Sequence, residues 1–218
     1  MVITIDGAAG VGKTTTAKEL AKELGYQYFD TGAMYRAVTF FFLAEKVDIK
    51  LVSKVKESLK TMNLQIDFSS GSDMTLLLDD KDISLKIRNQ EVTSHVSAVS
   101  ALKEVREMMV SIQRSIAEQG NFIVEGRDIG SVVFPDARYK FFLTADYDVR
   151  AKRRLADFEE INEAKDINII KKDLIVRDKY DSNRKLSPLI KPDGAIIIDT
   201  SECSFNEQVN QILKHIER

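Results

Sequence analysis

The chain has 218 residues, 44% of them hydrophobic and 30% charged, with 34 acidic against 32 basic side chains and a formal net charge of −2. That length favours one domain with a core large enough to need no disulfide or metal staple, and the near-balance of charge argues against a generally basic surface gripping nucleic acid. A single cysteine excludes an intrachain disulfide framework, two histidines make a Cys/His zinc site improbable, and no run reaches the roughly 18 apolar residues that would span a bilayer. The first residues lack the cationic region and apolar run of a signal peptide, so a cytoplasmic protein with no membrane partner is expected.

In chain order, the β-branched run Val2 to Ile5 predicts a strand entering a glycine cluster, Gly7-Ala-Ala-Gly-Val-Gly12. A helix is predicted over Thr14 to Leu24, with apolar Ala17, Leu20, Ala21 and Leu24 at helical spacing and Gly25 as its stop. Tyr26 to Phe29 predicts a second strand and Ala33 to Glu45 a buried, aromatic-rich helix, which together make a βαβ unit and favour a parallel sheet. The rhythm then breaks. Leu64 to Phe68 alternates, Ser69 to Asp73 reads as a turn and Thr75 to Leu78 as a second strand, so a hairpin insert is expected over about 63–92. A helix from Leu102 to Glu118 follows, then strands at Phe122 to Val124, Lys140 to Leu143 and Ala195 to Asp199. Between the last two strands, the charged stretch Arg150 to Arg184 should be helical and partly exposed, and Ser204 to Arg218 should form a closing helix.

Gly7-Ala8-Ala9-Gly10-Val11-Gly12-Lys13-Thr14 matches G-x-x-x-x-G-K-[ST] in full, with a strand before it and a helix after it. Such a loop turns its backbone N–H groups toward phosphate oxygens, and the positive end of the following helix adds to the field. Lys13 can reach the β- and γ-oxygens of a nucleoside triphosphate, and the Thr14 hydroxyl can ligate Mg²⁺. A guanine-nucleotide switch would carry a late Asn-Lys-x-Asp run, which is absent. A motor or helicase would show an apolar run ending in Asp, whereas Phe122-Ile-Val-Glu125 resembles one only weakly and ends in Glu.

Arginines distributed among glycine and aspartate are the more informative feature. One arginine alone is usually a solvated surface group. However, Asp30-Thr-Gly-Ala-Met-Tyr-Arg36 suggests a tight turn carrying a hydroxyl and a guanidinium, and Gly126-Arg-Asp128 directly follows a strand. Ligands of open α/β sheets sit beyond the carboxyl ends of strands, so both motifs should face the glycine loop. Several guanidinium groups there suit a second phosphorylated substrate, because phosphoryl transfer between two anions requires their repulsion to be cancelled. The spacing of Arg177, Asp181 and Arg184 puts all three on one helix face, either entering the cleft or forming an ion-pair ladder.

These stretches, with Ile87-Arg-Asn-Gln-Glu-Val92, Val105-Arg106, Gly126 to Asp136 and Arg177 to Arg184, run in order over essentially the whole chain, which resembles the bacterial cytidylate kinases among the P-loop nucleoside monophosphate kinases. The resemblance implies a three-layer α/β P-loop fold with a central parallel sheet. Its core would comprise about 1–62, 93–145 and 186–218, its β-containing nucleoside-monophosphate insert about 63–92 and its helical lid about 146–185. It implies ATP as donor, CMP or dCMP as acceptor and Mg²⁺ held through Thr14. Gly7 to Thr15 with Arg150 and Arg154 would bind ATP, and Arg150, Arg153 and Arg154 would belong to the lid. Ser97, Arg106 and Asp128 would read cytosine, Arg177 and Asp181 the sugar, and Thr31, Arg36, Arg127 and Arg184 the phosphates. Lys13, Arg127, Arg154 and Arg184 form the expected catalytic set. Asp128 can accept from the cytosine amino group while Arg106 donates to its acceptors, a pattern that uracil reverses.

Ala8 stands where this family is expected to have proline, Thr14 where serine or glycine is common and Thr31 where many members have serine, but each keeps the needed chemistry. His95, His215 and Cys203 are assigned no catalytic part, and the Asp199 to Glu202 turn is a candidate resting place for a base. Another small-molecule P-loop kinase is the nearest competing reading. A nucleotide-dependent RNA-binding or regulatory module is the competitor from a different class, although no stable nucleic-acid partner is expected. A monomer is expected.

Overall fold

The computed structural model describes residues 1–68, 74–160 and 164–216. The elements in chain order are β1 (Val2–Gly7), α1 (Lys13–Leu24), β2 (Gln27–Asp30), α2 (Thr31–Ala44), α3 (Val52–Thr61), β3 (Leu64–Asp67), β4 (Thr75–Leu78) and β5 (Lys81–Asp82). After a short 3₁₀ turn at Lys86–Arg88 come α4 (Gln90–Ser100), α5 (Lys103–Ala117), β6 (Phe122–Gly126), a π-helical turn (Ile129–Val133) and β7 (Tyr139–Thr144). The chain closes with α6 (Tyr147–Glu160), α7 (Ile167–Asn183), β8 (Ile196–Asp199) and α8 (Phe205–Leu213).

Among the described residues, five strands form one sheet in the order β2-β6-β1-β7-β8, with every neighbouring pair parallel. Period-two alternation divides its side chains between two helical layers. Ile3, Ile5, Ile123, Phe141 and Leu143 pack with Ala17 and Leu20 of α1 and Val209 and Ile212 of α8. Phe29, Phe122 and Val124 pack on the opposite face with Met34 and Val38 of α2, Val96 and Val99 of α4, and Met109 of α5. Fully burying one such side chain contributes about 1.5–3 kcal/mol. The result is the three-layer α/β fold expected from the βαβ rhythm.

β3, β4 and β5 make a separate antiparallel sheet, with Leu64 opposite Leu78 and Leu78 opposite Lys81. The expected turn at Ser69 to Asp73 lies outside the described residues, as do the last two residues of the expected closing helix. Phe68 ties this small sheet to the core, its ring 5.6 Å from that of Phe29 and 5.3 Å from that of Phe122.

Four local expectations need correction. The Asp30 to Arg36 segment is the start of a helix rather than a tight turn, because the Asp30 side chain accepts from Ala33 N and caps α2. Helix α4 was unforeseen: its Val- and Ser-rich sequence has poor helix propensity, but Asn89 caps it and Val92, Val96 and Val99 are buried at helical spacing. Helix α3 was also passed over, although Val55, Leu59 and Met62 recur at helical spacing and are buried. Arg184 does not continue the helical face of Arg177 and Asp181, because α7 ends at Asn183 and Arg184 has extended dihedrals of −65° and 141°.

Candidate active site

The glycine loop leaves the centre of the sheet between β6 and β7, and α1 begins at Lys13. Gly7 has a φ of 149°, and a Cβ placed there would meet the Leu143 carbonyl oxygen at 2.4 Å, so the loop's entry admits no side chain. The Lys13 ammonium donates to the Ala8 carbonyl at 2.7 Å. Burial, followed by the positive charge of Arg127, pushes this ammonium down to about 7, while Glu125 acts in the opposite direction. Thr14 Oγ1 donates to Glu125 Oε1 at 2.8 Å, and the Tyr28 phenol donates to the same oxygen. The Thr15 hydroxyl is exposed and folds back on the Gly12 carbonyl at 3.0 Å.

On the neighbouring strand, β6 ends in Gly126 and hands the chain to Arg127 and Asp128. A Cβ on Gly126 would lie 2.5 Å from Ile129 and 2.7 Å from the Thr31 hydroxyl, which donates to the Glu125 carbonyl at 2.7 Å. Asp6, at the end of β1, accepts from Ile129 N and Gly130 N at 2.7 Å each and so fastens the π-helical turn that follows Asp128. Burial raises the Asp6 carboxyl to about 6, although those two hydrogen bonds pull it down. The folded state therefore holds this proton through a range where the unfolded chain has released it. Asp6 thus makes stability fall as pH rises from about 4 to about 6, by at most about 3 kcal/mol. In urea titrations, the advantage of the wild type over Asp6→Asn is expected to shrink between about pH 4.5 and about pH 6.5. An advantage that widened would show that Asp6 is held ionised instead.

Two groups of charges gather around the turn that follows β6. In the first, Arg106 and Arg184 both donate to the buried Asp128 carboxylate, Arg184 at 3.3 Å, and Arg106 also reaches Ser187 Oγ at 3.0 Å and the Ser100 carbonyl at 3.4 Å. Burial pushes the Asp128 carboxyl up, and the two guanidinium groups oppose that shift. Ser97 is half-buried on α4, where its carbonyl accepts from the Ser100 hydroxyl at 3.1 Å, so it belongs to the same neighbourhood. The second group contains Arg127, which donates to Asp181 at 3.1 Å, and Arg36, which donates to Asp30 at 2.8 Å. Arg177 lies near Arg127, Asp181, Arg36 and Arg154, and burial and Arg127 lower its pKa to about 10. Its Nε is buried and has no hydrogen-bond partner. Cationic groups held this close repel one another, and an anion placed among them relieves that repulsion.

Three residues expected on the lid occupy different settings. Arg150 is 3% exposed, its guanidinium engaged by both Asp178 oxygens at 2.6 and 2.9 Å and by the Ala9 carbonyl at 2.7 Å. It is a strut between α6, α7 and the glycine loop, not a solvated helix face. Arg153 is tied to Thr200 Oγ1 at 3.0 Å and to its carbonyl at 2.7 Å, which anchors α6 to the turn after β8. Arg154 is partly exposed, pairing with Asp157 at 3.1 Å. Replacing Arg150 with Met would leave Asp178 buried without its counter-charge, and a loss of about 3–5 kcal/mol is expected in urea unfolding.

Sequence reasoning passed over Tyr28, Asp6, Asp178 and Ser187, and gave Glu125 too little weight. The signal for Glu125 was present, as an acidic residue closing an apolar strand that neighbours the strand bearing the loop. Asp178 and Ser187 carry no local signal, since their partners lie 28 and 81 residues away.

A family model described as cytidylate kinase matches residues 3–218. The chain is 44% identical over 222 residues to the cytidylate kinase of Protochlamydia amoebophila (strain UWE25), an alignment covering 99% of this chain and 96% of that protein. It is 45% identical over 214 residues to the bifunctional pantoate ligase/cytidylate kinase of Prochlorococcus marinus (strain MIT 9312), covering 97% of this chain but 42% of that longer protein. It thus spans less than half of the bifunctional relative. The fold is shared with the crystal structure of an uncharacterized protein from Eubacterium ventriosum ATCC 27560, with a TM-score of 0.55 at 14% identity, covering 99% of this chain and 97% of that one. Since the family model accounts for all but the first two residues, including the glycine loop and both charge groups beside it, the chain belongs to the cytidylate kinase family.

Proposed function

We propose that this protein transfers the γ-phosphoryl group of ATP to CMP or dCMP, yielding ADP and CDP or dCDP. Beyond family membership, the observation carrying this reading is the Arg106–Asp128–Arg184 cluster, one strand away from the glycine loop. Each Asp128 oxygen already holds one guanidinium and keeps a second lone pair. The carboxylate can therefore accept from the cytosine amino group while Arg106 donates to the ring acceptors. In this reading Ser97 supports the base, Arg177 and Asp181 take the sugar, and Thr31, Arg36, Arg127 and Arg184 take the acceptor phosphate.

An oxygen of the CMP phosphate attacks the γ-phosphorus in line. The new O–P bond forms as the bond to the β,γ-bridging oxygen breaks, and ADP leaves. A phosphate monoester is already an adequate nucleophile, so no general base is needed. Backbone N–H groups of Gly7 to Thr15 hold the donor phosphates, and Lys13 offsets charge on the β- and γ-oxygens. Arg127, Arg154 and Arg184 bring the two anions together and stabilise the charge on the transferring group. The segment 63–92 acts as the acceptor-side insert and 146–185 as the lid whose closure excludes water. Because Arg150 is already committed to Asp178 and Ala9, its part is to hold the loop's position rather than to swing onto ATP.

The residues also fit a magnesium ion. Among the described residues no cluster of three or more His, Cys, Asp or Glu side chains could hold a metal unaided, which suits an ion that binds largely through phosphate oxygens. Thr14 gives its proton to Glu125, leaving hydroxyl lone pairs for such an ion. When bound, the ion supplies charge neutralisation on the β- and γ-phosphates.

We further read the protein as a monomer working in the cytoplasm. Among the described residues no helix is long and apolar enough to cross a membrane. The test of the activity is an ADP-release assay with CMP, dCMP, UMP, AMP and GMP as acceptors. Marked stimulation by CMP or dCMP is expected, and none above the acceptor-free background would overturn the reading.

A further inference from the structure

Tyr28 is 3% exposed and lies on β2, with its side chain on the α1 side of the sheet. Its phenol donates to Glu125 Oε1, the oxygen that also accepts the Thr14 hydroxyl at 2.8 Å. The Lys18 ammonium sits 5.5 Å from the centre of the Tyr28 ring. β2 is hydrogen-bonded to β6 with Asp30 opposite Glu125, so the phenol and the carboxylate are carried on adjacent strands of one rigid sheet. Thr14, in contrast, belongs to the first turn of α1.

This chain of donors has a direction. A threonine hydroxyl has one proton and two lone pairs, and a carboxylate can only accept. As long as Glu125 stays in place, the Thr14 proton is committed to it and the lone pairs remain for a cation. A glutamate side chain has three rotatable bonds, and one hydrogen bond from Thr14 would restrain it weakly. The second donor comes from a rigid aromatic ring, buried at the sheet, with only two rotatable bonds, and therefore fixes the carboxylate from an independent direction.

We propose that Tyr28 is a positioning residue of the metal–nucleotide site, locking Glu125 so that Thr14 keeps its lone pairs for the divalent cation carried by ATP. This inference rests on the ATP-dependent kinase reading. Groups that orient metal ligands from behind typically change metal affinity or activity about 10- to 100-fold when removed. Tyr28→Phe keeps the ring and its packing while deleting the hydroxyl.

The test is calorimetric titration of wild type and Tyr28→Phe with ATP, once with excess Mg²⁺ and once with EDTA. Affinity for magnesium-bound ATP is expected to fall by about 10-fold or more, with metal-free ATP affected less than about twofold. The Mg²⁺ concentration that half-saturates the rate should rise by a similar factor. Equal weakening of both forms would mean that Tyr28 only supports the fold, and no weakening would mean that it does not act; either overturns the proposal. A second arm uses Glu125→Asp, whose shorter side chain withdraws the carboxylate from the phenol. Adding Tyr28→Phe to that variant should cause no further magnesium-selective loss, and an additive loss overturns the relay through Glu125. A wild type that binds neither form of ATP would overturn the kinase reading as well. A wild type with ordinary magnesium dependence and an unchanged Tyr28→Phe would overturn the positioning role alone.

Discussion

Replacing Lys13 with methionine is expected to lower kcat by at least about 10²- to 10³-fold and, at the same time, to leave the fold as stable as the wild type or more so. The two halves of this prediction come from the same observation. Burial and the charges of Arg127 and Arg177 act against the Lys13 ammonium so strongly that its pKa falls to about 7. Methionine fills nearly the same volume without asking the interior to hold that charge, so folding loses a cost rather than a contribution. Under the kinase reading, phosphoryl transfer would nevertheless lose the cation proposed to offset charge on the donor's β- and γ-oxygens. Denaturation midpoints measured beside single-turnover rates would check both halves together. A variant that is inactive because it is unfolded, or folded with near-normal turnover, would contradict the assignment.

Asp128→Asn is expected to act in the opposite way on stability. Asp128 is 3% exposed and stands between Arg106 and Arg184, and the amide leaves both guanidinium groups without a counter-charge in a buried setting. Stability should fall only modestly, because the unpairing of two guanidinium groups is partly offset by relief of the burial that pushes the Asp128 carboxyl up. If Asp128 reads the base as proposed, base choice should relax as well, because an amide can donate or accept where a carboxylate can only accept. The ratio of kcat/KM for CMP over UMP is expected to drop by at least about 10-fold, measured well below the variant's melting temperature. An unchanged ratio in a folded variant would remove Asp128 from base recognition.

How far these features could be read from sequence depended on how local their physics is. The strand, glycine loop and first helix form one continuous motif whose residue types are each dictated by their neighbours, and they were legible together. The hairpin was legible from its alternation, and Gly126-Arg-Asp from its place after an apolar strand. Arg150 was not legible, because the same side chain at the same helical position is a solvated cation or a buried strut depending on Asp178, 28 residues later. Arg184 was misplaced by one residue's dihedrals, as spacing alone cannot say where a helix stops. Helix α4 was missed for a further reason: its capping Asn89 and buried valines outweigh a composition that locally favours extended structure.

The pairing of β1 with β6 sets a common scale for the whole site. Asp6 lies opposite Gly126, so the glycine loop and the turn bearing Arg127 and Asp128 leave from adjacent tracks at the same height. Neighbouring strands lie about 4.8 Å apart, and that separation is fixed by backbone hydrogen bonds rather than by side chains. The sheet therefore works as a ruler between the loop and the turn. Side-chain substitutions can change the chemistry at either without altering the gap. A one-residue insertion in β6 ahead of Glu125 would instead turn Glu125 to the opposite face and displace Arg127 along the ruler, disturbing both in a single step.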